Sequence, residues 1–218
     1  MPRAGQNVRV MARQRRTKAV LGFAIAGLWI LCPWVLPWFL QSFLPTVVLS
    51  PPSWVYLGCL VPAGFSYLQA QQLWRKANRA DQGAAGEEAI AAVLAPLQSQ
   101  GWQIEYGVRD RSVGDVDVFL LSPQGRAYTI DVKSHRGEVR SNGKQLYRQY
   151  GRSQYPFEKN FLNQAKRQAV AVKKLKGLIF VTPIVAFSQA KVEISENPVA
   201  KVYVVGKEDL VSCLRSLS

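Results

Sequence analysis

Histidine and cysteine are scarce in this chain. Its 218 residues hold one histidine, His135, and three cysteines, Cys32, Cys59 and Cys213. So few cysteines exclude a disulfide-stapled scaffold, and no Cys/His spacing suits a structural zinc. A lone histidine argues against a His-based triad or a multi-His metal centre. The GxxxxGK[ST] phosphate loop, the GxSxG elbow and the HExxH helix are also missing. Acid is sparse too: 14 Asp and Glu stand against 28 Lys and Arg, a net charge of +14. Apolar types still make up 48% of the chain, enough for a packed core, so a disordered polymer is excluded.

The widest gap is in charge itself. From Ala19 to Trp74 there is no Asp, Glu, Lys or Arg. A helical membrane crossing takes about 20 apolar residues, so this stretch predicts a hairpin of two spans, about 19–40 and 53–72. Pro45, Pro51 and Pro52 break the chain between them. Trp34, Trp38 and Trp54 suit the interfacial belt. Residues 1–18 carry six cations and no acid, and Arg75, Lys76 and Arg79 follow the second span, while the loop between has none. Positive flanks stay inside, which predicts a multi-pass plasma-membrane protein with both ends cytoplasmic. Arg15-Arg16 could instead mark a cleaved twin-arginine signal, but the apolar stretch is longer than a signal core. One long re-entrant or interfacial segment is the other alternative.

All the acids lie after Trp74, in a stretch of ordinary single-domain size. Residues 75–82 read as a polar linker and 83–214 as one domain. Helical spacing of Ile90, Val93, Leu94 and Leu97 predicts a helix over Gly86–Leu97. Strands are expected at Trp102–Tyr106, Val116–Leu121, Arg126–Lys133, Leu178–Val185 and Lys201–Val205, with helices at Phe157–Leu175 and Glu208–Leu214. That order predicts an α/β fold with a sheet flanked by helices, and Leu178–Val185, apolar but for Thr182, is expected at its centre.

Ser122-Pro123-Gln124-Gly125 predicts a hairpin turn with Gly125 in the left-handed position. In that register Ser122 faces Arg126, Asp117 faces Asp131 and Asp115 faces Lys133, with all four of the latter side chains on one face. Opposed β-carbons lie about 5 Å apart. Two carboxylates that close repel unless a proton or a cation joins them, and a divalent metal with oxygen ligands is the natural occupant. A solvated charged face with an Asp115–Lys133 pair is the plain alternative. Glu87 shares the helix stripe of Ile90, Leu94 and Leu97, which turns it inward; complementing the helix dipole is its plain alternative. Between Lys133 and Lys176 stand twelve cations, among them Arg136, Arg140, Lys144, Arg148, Lys166 and Arg167, against only Glu138 and Glu158. Tyr147, Tyr150, Tyr155 and Phe157 are interleaved. This is a phosphate-backbone footprint with stacking aromatics, or else a surface for anionic lipid. His135 reads as a surface residue and Cys213 as core packing.

Gly83-Ala84-Ala85-Gly86-Glu87-Glu88, Gly114-Asp115-Val116-Asp117-Val118-Phe119, the Ser122–Gly125 turn, Tyr128-Thr129-Ile130-Asp131-Val132-Lys133-Ser134 with Gly137, and Asn163-Gln164-Ala165 together resemble the NERD (nuclease-related) domain. The resemblance spans about Gly83–Leu214. It implies membership of the PD-(D/E)xK nuclease-like superfamily, a restriction-endonuclease-like α/β core with a mixed sheet, and Mg2+-dependent (or Mn2+-dependent) phosphodiester hydrolysis. By motif, Asp117 and Asp131 would be the metal ligands, Lys133 the catalytic lysine, Glu87 the acid of the first helix and Gln164 a substrate or water contact. Asp131 stands where Glu is frequent, and Asp115 competes with Asp117 for the first ligand position. The expectation is a membrane-anchored nuclease acting on DNA, or on RNA, with no small-molecule cofactor and with a homodimer allowed. A non-catalytic nucleic-acid-binding module and a lipid-binding adaptor are the alternatives.

Overall fold

The computed structural model describes residues 4–43, 51–110 and 114–218. Most of the loop expected between the two spans lies outside them. The described chain divides into two units, Asn7–Asp81 and Gln82–Ser218, with residues 4–6 belonging to the second.

In the first unit, helix α1 (Gln6–Phe43) is long and apolar enough to cross a membrane, and it is the one described helix that is. Helix α2 (Ser53–Gln98) begins where the second span was expected, but Ser53, Gly58, Pro62, Gly64, Ser66 and Gln69 dilute its apolar content. Two spans are therefore not both evident from length and composition. Within this unit α1 and α2 touch along their lengths. Trp34 meets Tyr56 at 5.2 Å, Phe23 meets Tyr67 at 5.5 Å, and Arg16 bonds Asp81 at 2.5 Å. Ala12, Ala19, Ala26 and Pro33 recur every seventh residue on α1, as Ala63, Ala70 and Ala77 do on α2, and all are buried. Small residues at that period let two helices approach closely.

Residues 75–82, expected as a linker, are helical, and the boundary between the two units falls within them, at Asp81 and Gln82. Helix α2 runs unbroken through 75–82, because Arg75–Gln82 is polar yet rich in good helix formers and free of proline. Past Gln82, its Ile90, Leu94 and Leu97 pack onto the sheet with α4 (Leu210–Leu217).

The second unit is a mixed α/β fold around a seven-stranded mixed sheet. Strands β1 (Gln103–Asp110), β2 (Gly114–Leu121) and β3 (Ala127–Ser141) form an antiparallel meander. Strand β3 also pairs in parallel with β6 (Thr182–Val192), which pairs in parallel with β7 (Tyr203–Gly206). A two-stranded ribbon, β4 (Leu146–Tyr150) and β5 (Ser153–Pro156), extends from the far half of β3. No apolar alternation marks these two strands, so the ribbon adds to the strands expected from the residues.

Helix α3 (Phe161–Lys176) starts four residues later than its apolar spacing suggests. Asn160 caps it, its side chain accepting from Asn163 N–H, and Gly177 closes it in a left-handed conformation. Strand β6 is interior, between β3 and the edge strand β7 rather than at the centre of the sheet, and begins at Thr182 rather than Leu178. Ile179 and Phe180 before it are exposed by 93% and 69%.

Candidate active site

The site forms where β3 loses a neighbour. Along one edge β3 bonds β2 through residues 127–130 and β4 through 138–141; residues 131–137 have no ladder partner on that edge among the described residues. The hairpin register is the one expected: Leu121 pairs with Ala127 and Val118 with Ile130. It stops one step short of Asp117 and Asp131. Continued, it would set Val132 against Val116. Instead the Asp117 carboxylate accepts the Val132 N–H at 2.7 Å, replacing a backbone acceptor with a side chain.

Asp131 is 1% exposed. Its Oδ1 accepts from Lys133 Nζ at 2.8 Å and from Gln164 Nε2 at 3.2 Å. Its Oδ2 lies 2.7 Å from the same ammonium but off the hydrogen-bond direction, and has no proper donor. Burial raises the Asp131 pKa; the Lys133 charge and hydrogen bond and then Gln168 oppose the rise. Asp117 is pushed up to about 8, first by burial and then by the charges of Asp131 and Glu87; the Val132 N–H and Lys133 offset only part of this. Glu87 is raised by burial and by Glu88 and Asp115, against Gly5 N–H, which donates to Oε2 at 3.0 Å, and Lys133. These mutual shifts place Glu87, Asp117, Asp131 and Lys133 within electrostatic reach of one another.

Each element delivers its residue for a physical reason. Helix α2 crosses the sheet closely at Gly86, where an added Cβ would lie 2.8 Å from Ser188 Oγ and 3.0 Å from Ser134 Cβ. That approach carries Glu87 in. Helix α3 presents Gln164 and, one turn on, Gln168, which is buried and donates to the Asp115 carbonyl at 3.4 Å. Lys133 Nζ sits 4.8 Å over the Phe161 ring, so its amine is held from two sides.

Asp115 itself is exposed. Among the predicted nucleic-acid contacts, Arg140 is bonded to Glu138 and to Glu193, the latter at 2.8 Å. Arg136 donates to Gln189 at 2.9 Å. Lys144 is exposed, and Lys166 and Arg167 line a cleft of about 610 Å³ with Gln164, Lys159, Asn160 and Asn163. Two residues were missed or misread. Gln168 follows Gln164 by one helical turn, a spacing that could have found it. His135 is only partly exposed: it packs 5.1 Å from Phe157 and 5.3 Å from Phe161, and its Nδ1 is buried without a partner. Burial, then Arg148 and Lys133, depress its pKa.

No group of three His, Cys, Asp or Glu among the described residues is arranged to hold a metal by itself. A buried carboxylate, Asp131, and a partly buried one, Asp117, in mutual repulsion, the former with an oxygen lacking a donor, nonetheless fit a hard cation whose shell is completed by water and phosphate. Compared with known proteins, residues 82–188 match the nuclease-related domain, NERD. No curated protein and no solved structure matches the chain.

Proposed function

With residues 82–188 constituting a nuclease-related domain, we propose that this protein is a membrane-anchored, metal-dependent nuclease that hydrolyses phosphodiester bonds of DNA, or of RNA, on the cytoplasmic side. The observation that carries the reading is Asp131, buried and joined to Lys133 and Gln164, at a break in the sheet edge that Asp117 fills. The break between two strands on one edge of β3 also supports a restriction-endonuclease-like core.

Asp117 and Asp131 would hold Mg2+ or Mn2+, with Glu87 behind Asp117. Bound there, the ion would stabilise charge on the phosphoryl oxygens and acidify a coordinated water. Lys133 Nζ, pinned against Phe161, orients the attacking water or offsets charge on the phosphorus centre. Gln164 keeps Asp131 turned toward the break and lines the cleft that Lys159, Lys166 and Arg167 make attractive to a phosphate backbone. For the anchor, α1 supplies one span. The contacts that run from Trp34–Tyr56 to Arg16–Asp81 support α2 returning beside it as a second.

The full chain in detergent with Mg2+ is expected to nick plasmid or cut oligonucleotides. Lys133→Ala and Asp131→Ala should each lower the rate at least about 100-fold. Equal cutting by all three proteins would overturn the assignment. Binding of nucleic acid without any cutting would favour a binding module.

A further inference from the structure

An unbroken row of rings and cations leads away from the catalytic lysine. Lys133 Nζ lies over Phe161. His135, two residues on, packs against both Phe161 and Phe157, whose rings also meet each other at 4.8 Å. The Arg148 guanidinium lies 5.4 Å over Phe157 from its other neighbour, strand β4. Arg148 pairs directly with Tyr155 across the ribbon, so the two share a face, and Tyr150 stands two residues along the same side. The Tyr150 and Tyr155 rings are 6.0 Å apart, and both are about half exposed, 49% and 50%.

These rings are held in place. Tyr150 packs against Gly137, where an added Cβ would come within 3.1 Å of the ring, and its hydroxyl donates to the Arg136 carbonyl at 3.3 Å. The row starts at the sheet break and ends on the ribbon that β3 meets where the break closes. Exposed Arg136, Lys144 and Arg152 flank it, and inside it Arg148 Nε and His135 Nδ1 have no hydrogen-bond partner.

We propose that the β4–β5 ribbon and this row form a track for single-stranded nucleic acid, with bases stacking on Tyr150 and Tyr155 and the strand leading to Lys133. The inference rests on the domain acting on nucleic acid, and it names the form of the substrate. The chemistry favours an unpaired strand because an aromatic face can take a base only when that base is free of its own stack and partner. A duplex offers this surface phosphates alone, which would leave two half-exposed tyrosines without a role.

The test is binding of fluorescein-labelled oligonucleotides to the full chain in detergent, with EDTA present to stop hydrolysis. Three probes are compared: a single strand, the same length with abasic sites, and the blunt duplex. The single strand is expected to bind at least about tenfold more tightly than the other two. Tyr155→Ala should weaken single-strand binding roughly 5- to 100-fold and leave the abasic strand unchanged, while Tyr155→Phe retains the affinity. Circular dichroism of the variants checks that both fold. Equal or tighter binding of the duplex, equal binding of the abasic strand, or no effect of Tyr155→Ala in the folded protein overturns the proposal. A strand held tightly but never cut with Mg2+ would count against hydrolysis alone. A duplex preferred and cut would count against the track alone.

Discussion

At the scale of the residue, Asp117 carries the clearest physical signature. Its pKa rises from 3.8 to about 8 in the fold, with burial the first cause. A carboxyl that prefers its proton when folded costs nothing below its unfolded pKa, where both states are protonated. As pH rises from about 4 to about 8 the unfolded chain ionises first, so stability is lost across that window, and the loss is complete above it. Urea melts in EDTA should therefore show the metal-free protein weakening from pH 5 to pH 8. Asp117→Asn should flatten that slope and raise stability at pH 8, since an amide oxygen can still accept from Val132 N–H. The same substitution should abolish cutting. A slope unchanged in Asp117→Asn would mean that the burden lies on another group. The sequence made Asp117, Asp131 and Lys133 legible because a turn with a defined register places carboxylates opposite each other. It did not reveal His135 as a cluster residue, because nothing local says that Phe157, Phe161 and Phe187 will converge on it.

Among the elements, what mattered was where ladders end. The Ser122–Gly125 turn fixed the pairing of β2 with β3, and that pairing followed from the residues alone. The break at 131–137 did not, because it depends on β4 taking over the edge, and β4 and β5 lack the apolar alternation that marks a strand. The register shift between Lys133 and Arg136 against β6 is likewise a product of pairing. Helix α2 reads as two pieces because polarity changes along it, yet nothing in 75–82 breaks a helix. Its position on the sheet depends on Gly86. Gly86→Val should force the helix away from Ser134 and Ser188 and cost about 1–3 kcal/mol in urea melts. It should also lower cutting by drawing Glu87 out of place, and Ser188→Gly should restore part of both. A fully stable, fully active Gly86→Val protein would show that this contact does not position the site.

For the whole molecule, charge and apolarity are separated along the chain, with every acid placed after Trp74. The apolar helix long enough to cross a membrane and the cation-rich residues that follow it are thus distinct parts of the chain. The number of crossings decides which side the domain occupies. With one crossing by α1, Pro52 and the ribbon residue Ser153 lie on the same side of the membrane. With a second crossing by the first part of α2 they lie on opposite sides. Pro52→Cys and Ser153→Cys, each in a background with Cys32, Cys59 and Cys213 replaced by alanine, separate the two arrangements. A membrane-impermeant maleimide added to intact cells should label Pro52→Cys and spare Ser153→Cys until the cells are opened. Positive-inside flanks demand this result, since the cations before Ala19 and after Trp74 would otherwise stand on different sides. Equal labelling of both positions would reduce the anchor to a single span, and the domain would then no longer share a side with the basic N-terminal segment.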